Sequence, residues 1–317
     1  MKIFLAGGVS ANLKPIWSKI VSMKLFLAGG ESRHWIYDNI GGIMQIFLVG
    51  ENGKKKIIEE LSLKDIKMYL AGTMYGNQSN AILNLNIDLS NHRPYILESF
   101  YYADEVTEKL IPYFGEFLLD SGAFTFMSNI KKGNINWKDY IDRYIDFINR
   151  NNVKHFFELD IDCIVGYDNV LKIRKYIEEK TGKKCIPVWH KSRGKEEFIK
   201  MCEEYDYVAI GGIVSKEITS KEYPFFTWFI NEAHKRSCKI HGLGFTSLEN
   251  ITKYKFDSVD STSWTTGNRF GFVYKFNGKT MKKIDAPLGH RLKDSKKVAL
   301  NNYIEWIKFQ KYADKYL

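Results

Sequence analysis

Cysteine is scarce in this chain of 317 residues, and its four cysteines follow no recognisable pattern. They stand far apart, without the C-x-x-C spacing of a zinc knuckle or a redox pair. Neither a disulfide framework nor a metal site is therefore expected. We expect reduced thiols in a cytoplasmic protein, at Cys163, Cys185, Cys202 and Cys238.

Long apolar runs are also missing. No stretch approaches the ~20 apolar residues that a transmembrane helix needs. The start of the chain, residues 1–8, is apolar and glycine-rich but too short for a secretory signal peptide. We expect no membrane partner and a location inside the cell.

Basic residues outnumber acidic ones, 47 against 37, which gives a net charge of +10. The surplus is concentrated at the end of the chain, where residues 274–317 carry eleven basic and four acidic side chains. A clustered surplus favours a polyanionic partner such as nucleic acid. An AT-rich genome would also enrich lysine, so composition alone does not decide. The aromatic share of 15% suits both a large core and a base-stacking surface.

A short repeat occupies the beginning of the chain. The segment KIFLAGG at residues 2–8 returns in similar form at 24–30, 45–50 and 67–72. Each copy has the pattern of a buried strand that ends in a glycine turn. We interpret residues 1–65 as an extension of repeated strand-turn units, and the fourth copy as the first strand of the following domain.

From the fourth copy onward, strand-like and helix-like segments alternate. This pattern predicts an α/β fold, specifically a (β/α)8 TIM-like barrel over residues 66–275. A doubly wound open sheet is the alternative. Residues 276–317 are predicted to form a basic tail whose helix packs on the barrel. The predicted strands are 68–72, 95–99, 116–120, 155–160, 186–190, 208–212, 239–244 and 256–260, and the clearest helices are 137–149, 169–180, 196–204 and 225–236.

Polar residues and glycines stand where several predicted strands end. In parallel barrels these carboxyl ends carry the active site. One aspartate at such a place is usually a helix cap or a turn former. We call this end of the barrel, where the carboxyl ends of the strands meet, the mouth. Three carboxylates in one mouth push their pKa values apart, so that one serves as acid or base and another stays ionised as nucleophile. The residues concerned are Asp120, Asp160, Asp260, His190, Gly211, Gly212 and Gly242.

These strand ends resemble a known family, the tRNA-guanine transglycosylases. The similar segments, in the family's order, are LDSGAF at 119–124, LDI at 159–161, AIGGI at 209–213, GLGF at 242–245 and FDSVDSTSW at 256–264. The resemblance covers roughly residues 68–275, without the first 65 residues and the basic tail. Each motif is weak alone, and the ordered set is specific.

The resemblance implies a role for each matching residue. Asp260 would attack C1′ of the sugar and form a covalent ester, and Asp120 would move the proton to and from the exchanging bases. Asp160 would accept hydrogen bonds from the base, with Asp162 close enough to compete for that role. Backbone N–H groups around Gly211 to Ile213 would donate to the O6 atom of the base. The rest of the implied base pocket is Ser121, Gly122, Trp189, His190, Gly212, Ile213 and Gly242.

Departures from the family pattern narrow the range of possible substrates. No cysteine-rich zinc cluster follows Asp260, so we expect no metal and no cofactor, and tRNA becomes doubtful as the substrate. Trp189 stands where a base-reading glutamine is expected, which leaves the choice among preQ0-like bases open. The chain therefore resembles most the DNA 7-deazaguanine transglycosylases of phages and bacteria. Their partner is DNA, with the target guanine flipped out or single-stranded.

Further contacts with nucleic acid are predicted near the mouth. Arg269 would contact phosphate and Trp264 would stack on a base. Phe124 and Phe126 are weaker stacking candidates, for which core packing is the favoured interpretation. A homodimer is left open.

Two alternatives to the DNA enzyme stay open, and a third is disfavoured. One is a zinc-free tRNA-guanine transglycosylase. Another, of a different class, is a phosphate-binding barrel isomerase or lyase that acts on a small metabolite, with the glycine pair 211–212 as phosphate cradle. The acidic segment 260–263 counts against that cradle. A nucleic-acid-binding barrel without activity is disfavoured by the presence of both Asp120 and Asp260.

Overall fold

The computed structural model describes residues 66–72, 93–128, 135–245, 247–286 and 295–317, apart from the side chains at 127–128, 268–269 and 295–296. Within residues 1–65 only the backbone of five strands is described. The chain divides into two compact units, Met1–Lys64 and Asp65–Leu317.

The amino-terminal unit contains two small sheets. The first pairs β1 and β2 in parallel, with Lys2 opposite Lys24, so that matching positions of the first two repeat copies face each other. The second is an antiparallel sheet of three strands, and its middle strand contains residues 45–49 of the third copy. The strands are β1 (Lys2–Ala6), β2 (Lys24–Ala28), β3 (His34–Ile40), β4 (Ile43–Val49) and β5 (Lys55–Ser62).

The larger unit is built on eight parallel strands whose neighbours follow chain order, with the last strand paired to the first. A single parallel bridge, Phe157 with Ile186, joins the fourth strand to the fifth and completes the ring. The (β/α)8 prediction is thereby confirmed, with the fourth repeat copy as first strand. The strands are β6 (Lys67–Ala71), β7 (Tyr95–Ser99), β8 (Glu116–Asp120), β9 (His155–Phe156), β10 (Val188–Trp189), β11 (Tyr207–Ile210), β12 (Lys239–Gly242) and β13 (Ser258–Ser261).

Strands β9 and β10 are shorter than predicted, and the side chain of Glu158 explains why. The Val188 N–H donates to the buried Glu158 carboxylate over 2.8 Å instead of to a neighbouring strand. Pro187 has no N–H to donate. Only the short stretch around Phe157 and Ile186 therefore forms backbone hydrogen bonds between the two strands.

Side chains of the strands alternate between the barrel interior and the surrounding helices, as the period of two requires. The interior holds a compact cluster that includes Tyr69, Leu118, Phe157 and Ala209. The alternate residues pack in the larger cluster between strands and helices.

Helices follow most of the strands, and the four predicted helices are all present, with ends shifted by at most two residues. The helices of the barrel are α1 (Glu105–Leu110), α2 (Ala123–Ser128), α3 (Trp137–Arg150), α4 (Asp162–Val165), α5 (Tyr167–Thr181), α6 (Gly194–Glu204), α7 (Phe226–Lys235) and α8 (Ser263–Phe270). Short 3-10 segments lie at Ile111–Tyr113, Lys191–Arg193 and Ser220–Phe225. None of the described helices has the length and apolarity to cross a bilayer.

The carboxyl-terminal part belongs to the same compact unit as the barrel. The hairpin β14 (Phe272–Phe276) and β15 (Met281–Asp285) precedes the long helix α9 (Ser295–Tyr316). The Gln310 amide donates to the carbonyls of Met68 and Tyr95 over 2.6 and 2.8 Å and accepts from the Tyr95 N–H. Helix α9 thus supplies hydrogen bonds to the beginnings of β6 and β7.

Candidate active site

The structure brings the three predicted aspartates to the carboxyl ends of the barrel strands. Asp120 ends β8, Asp160 follows β9, and Asp260 lies in β13. Burial and then the negative charge of Asp160 raise the pKa of Asp120, and the charge of Asp260 adds a smaller rise. Three strands therefore place three carboxylates in one mouth.

Asp120 is poised to exchange a proton. Burial and then the charge of Asp160 raise its pKa to about 7, against an ordinary value of 3.8, although its bond from the Gly122 N–H opposes that rise. Gly122 donates this bond to Oδ2 over 3.0 Å. A side chain at Gly122 would lie 2.8 Å from the Tyr140 hydroxyl, and its φ is +83°, so this turn requires glycine.

Asp160 is hydrogen-bonded to His190, whose other ring nitrogen contacts a second carboxylate, that of Glu217. The Nε2 atom of His190 is 2.8 Å from Oδ2 of Asp160, and its Nδ1 is 3.2 Å from Oε2 of Glu217. Burial alone would lower the pKa of His190, but the bond to Asp160 and its charge prevail and raise it to about 9. At neutral pH His190 is therefore an imidazolium that donates both N–H groups.

The second aspartate of this segment, Asp162, is engaged elsewhere. Arg193 donates from Nε and Nη2 to both Asp162 oxygens, over 2.7 and 2.5 Å. The same guanidinium reaches the buried Glu158, which also pairs with Arg174 at 2.7 Å. Because Asp162 is paired with Arg193, Asp160 is the aspartate of this segment that faces His190 and influences Asp120.

Asp260 is held through one of its two oxygens. Its Oδ1 accepts the Gly244 N–H over 2.6 Å and lies 3.2 Å from Nε2 of His241. Within the described part of the chain, Oδ2 has no hydrogen-bond partner. On the far side of the ring, Nδ1 of His241 is 2.6 Å from the Ser258 hydroxyl, which is also hydrogen-bonded to the Tyr207 hydroxyl.

The glycines at the end of β11 make room for His190 and Glu217. A Cβ atom at Gly211 would lie 2.7 Å from the His190 ring, and one at Gly212 would lie 2.8 Å from Glu217 Oε2. The Gly211 N–H donates to the Trp189 carbonyl within the sheet, so it is not available to a base. Ile213 is buried in the core between strands and helices. Donation to a base O6 from the neighbouring N–H groups of Gly212 and Ile213 stays a prediction.

Gly242 serves packing and not the mouth. A side chain there would lie 3.1 Å from the Cβ atom of Phe245 and 3.3 Å from the Phe256 ring, both of which belong to the core between strands and helices. The residue of this turn that reaches the site is Gly244, through its N–H to Asp260. Sequence reasoning missed this donor, and the GLGF motif was its only signal.

The two predicted tryptophan contacts are corrected by the structure. Trp189 faces the helices, where its ring lies 4.5 Å from that of Phe229 and its N–H donates to the Gly194 carbonyl. Strand alternation turns the next residue, His190, toward the mouth. Trp264 is 1% exposed and donates to the Ala71 carbonyl over 2.7 Å, so it cannot stack on a base.

The remaining predicted contacts divide into three cases. The Ser121 hydroxyl is buried without a hydrogen-bond partner in the described part of the chain, directly beside Asp120. Phe126 packs in the core, as favoured, whereas Phe124 is 52% exposed and corrects that interpretation. The side chain of Arg269 lies outside the described residues.

An aromatic cavity that the sequence analysis did not predict adjoins the mouth. Its volume is about 290 Å³, and its walls include Phe100, Tyr101, Phe126, Tyr140 and Arg143. The cavity lies next to Asp120, because Tyr140 donates to the Ser121 carbonyl over 2.7 Å. The run Phe100–Tyr102 directly after β7 was the available sequence signal.

The cysteines and acidic residues offer no metal centre in the described part of the chain, where no group of three or more His, Cys, Asp or Glu is arranged to hold an ion. All four cysteines are free thiols, with Cys163 exposed and the other three buried.

Comparison with known proteins adds little beyond this geometry. No family model matches the chain, and no curated protein matches its sequence. Among solved structures, the aldolase QR15 is 14% identical with a TM-score of 0.41, over 63% of this chain and 90% of that chain. The carboxyl transferase domain of Rhizobium etli pyruvate carboxylase, determined with 3-bromopyruvate, is 12% identical with a TM-score of 0.43. That match covers 80% of this chain and 48% of the other, and neither neighbour bears on the reaction of this chain.

Proposed function

We propose that this chain is a transglycosylase that exchanges guanine in DNA for a 7-deazaguanine base through a covalent ester of Asp260. The observation that carries the proposal is the cluster of Asp120, Asp160 and Asp260 at one mouth, in which Asp120 titrates near pH 7. An exchange reaction needs one group that trades protons at neutral pH and another that attacks as a carboxylate. The ordered motifs around these residues support the same reaction.

In the first half of the reaction, Asp260 forms a bond to C1′ of the sugar while the C1′–N9 bond to guanine breaks. The electron pair of the broken bond leaves with guanine, and protonated Asp120 supplies the proton that neutralises it. In the second half, ionised Asp120 takes a proton from the incoming base. That base then attacks C1′ and releases Asp260 as a carboxylate.

Asp160 is the proposed reader of the base. A carboxylate accepts hydrogen bonds only, which suits the N1–H and exocyclic amine of guanine and of 7-deazaguanines. His190 holds one oxygen of Asp160, and the hydrogen bond fixes the orientation of the carboxylate. A base that lacks the two donors would leave the acceptor sites of Asp160 that His190 does not use unpaired in a buried site, at a cost of roughly 1–3 kcal/mol.

DNA as the partner is supported by charge and by exposed aromatic side chains. The net charge of +10 favours a polyanion. The segments that follow the barrel strands expose Tyr101, Tyr102, Phe124 and Phe225, all at least 36% exposed. Such rings are platforms for unstacked bases. A guanine must leave the duplex to reach the mouth, so a flipped or single-stranded target is required.

The test follows guanine release from radiolabelled DNA and tRNA in parallel, with preQ0 as the incoming base. Wild-type protein is expected to release label from DNA, and Asp260→Asn is expected to abolish release. Asp168→Asn, a change at an exposed position on α5, is the control that keeps activity. Release from tRNA alone would favour the zinc-free tRNA enzyme. No release from either, across several deazaguanines, would favour the small-metabolite barrel.

A further inference from the structure

Among the buried groups that the proposed reaction does not yet use, His241 has the most direct contact with a reacting residue. It is fully buried in the barrel interior, where its ring packs at 5.4 to 6.4 Å from the rings of Tyr69, Phe157 and Tyr207. A histidine among aromatic rings is often a core residue. Here both ring nitrogens are engaged, one of them with Asp260.

We infer that His241 is a positioning residue for Asp260: it donates to Oδ1 and thereby leaves Oδ2 as the attacking oxygen. The inference rests on the proposed function, because it assumes that Asp260 is the nucleophile. It adds the identity of the reacting oxygen and a chain of hydrogen bonds that fixes it.

The direction of each hydrogen bond follows from what the groups can do. An ionised carboxylate only accepts, so Nε2 of His241 carries the hydrogen in its contact with Asp260. In a neutral ring Nδ1 then accepts, and the Ser258 hydroxyl is its donor over 2.6 Å. The oxygen of Ser258 in turn accepts from Tyr207. Tyr207, Ser258 and His241 thus form one directed chain that selects the tautomer required at Asp260.

The two carboxylate oxygens of Asp260 differ in their hydrogen bonds, because both donors contact the same oxygen. Oδ1 accepts from His241 and from the Gly244 N–H, whereas Oδ2 has no partner in the described part of the chain. The ester therefore forms at Oδ2, and Oδ1 becomes its carbonyl oxygen. When the incoming base displaces the sugar, negative charge returns to the carboxylate, and the two donors stabilise it as it develops.

This arrangement makes the second half-reaction more dependent on His241 than the first. Removing the donor leaves the Asp260 carboxylate a poorer leaving group, so the sugar ester should persist. A purely structural histidine would instead affect both half-reactions together, through loss of folded protein. The signature to measure is accumulation of the covalent protein–DNA adduct.

The experiment compares four variants of the full chain. His241→Met removes the donor at similar volume, and His241→Gln keeps an N–H donor in the side chain. Ser258→Ala removes the bond that selects the tautomer with a much smaller change in volume. His155→Met is the matched control, because His155 also contacts the Tyr207 ring, at 6.0 Å, from the other end of the barrel.

Protein is first mixed with guanine-labelled single-stranded DNA without an incoming base, and preQ0 is added afterwards. Label release, denaturant-stable adduct and base incorporation are followed separately. For His241→Met we expect incorporation to slow by roughly 100-fold, the usual effect of one lost donor, with adduct persisting after preQ0 is added. His241→Gln should restore turnover at least tenfold relative to His241→Met, and His155→Met should behave as wild type.

The outcomes separate this inference from the proposed function. One outcome would be that Asp260→Asn abolishes guanine release while His241→Met and Ser258→Ala turn the adduct over as wild type does. That outcome would overturn the inference about His241 and leave the proposed function standing. The same persistence of adduct in His155→Met as in His241→Met would also overturn the inference. Release that survives in Asp260→Asn would overturn the proposed function. If His241→Met does not fold, Ser258→Ala decides, with slower adduct breakdown supporting the inference.

Discussion

At the residue scale, Asp120 shows how burial and a neighbouring charge set chemistry. Its pKa lies near 7 because burial and then Asp160 disfavour its ionised form. As the pH rises above 7, the protonated form that serves guanine release is lost. Single-turnover release should therefore fall about tenfold per pH unit above this value. Asp160→Asn removes the neighbouring charge and should move the fall to lower pH. A fall at an unchanged pH would contradict the role given to Asp160.

The same pKa shift predicts a stability effect. Asp120 has a pKa of about 7 in the folded chain against an ordinary 3.8, so its protonated form stabilises the fold and that contribution is lost as the pH rises through this window. Asp120→Asn keeps a neutral group at every pH. The variant should melt higher than wild type at pH 8, by roughly 2–4 °C per kcal/mol gained, and nearly equally at pH 4. Thermal unfolding at both pH values measures this, and a lower melting temperature at pH 8 would contradict it.

At the element scale, side-chain ion pairs contribute more than backbone hydrogen bonds to the stability of the contact between β9 and β10. The side chain of Arg193 is 2% exposed and pairs with both Glu158 and Asp162. Arg193→Met leaves two carboxylates without that partner, which should lower the free energy of unfolding by roughly 3–5 kcal/mol. Urea denaturation gives the value. Lys200→Met, at a 66% exposed side chain, is the control and should change stability little.

The aromatic loops after β7 and β8 carry a prediction about nucleic acid. Tyr101 is 44% exposed and forms one wall of the cavity beside Asp120. Tyr101→Ala should weaken binding of single-stranded DNA by roughly 1–3 kcal/mol, the usual worth of one stacked base. Tyr113→Ala is the matched control, since Tyr113 is 57% exposed but precedes β8 and so lies toward the opposite end of the barrel. Fluorescence anisotropy with a labelled oligonucleotide compares them, and equal losses would remove the cavity from the binding surface.

Elements and their order could be predicted from the sequence because their signals are local. Glycine turns and short apolar runs located all eight strands, and the motif order placed Asp120, Asp160 and Asp260 at one end. Trp189 was matched by likeness to a family residue and faces the helices instead, whereas strand alternation turns its predicted neighbour His190 toward the mouth. The exposure of Phe124 and the partners of His241 depend on contacts between distant segments. Such contacts leave no trace in a single sequence.

At the scale of the whole barrel unit, the positions of the lysines matter more than their number. Helix α9 ends near the beginnings of the barrel strands, because Gln310 bonds to Met68 and the Leu317 carbonyl accepts from Lys255, which precedes β13. The basic residues near the end of α9 therefore lie away from the mouth. Lys216 and Lys221 are exposed on the segment that follows β11, at the mouth itself.

This placement revises what the charge of the tail predicts. If DNA enters at the mouth, Lys216→Gln with Lys221→Gln should weaken binding and reduce the slope of log Kd against log salt by roughly 2, since each phosphate contact contributes about 0.9. Lys311→Gln with Lys315→Gln changes the net charge equally, on exposed positions of α9, and should leave the slope nearly unchanged. The two double variants change the net charge equally. An equal loss of DNA affinity in both would therefore show that net charge, and not the position of the lysines, governs binding. A larger loss in the α9 pair would place the DNA on the tail, away from Asp260.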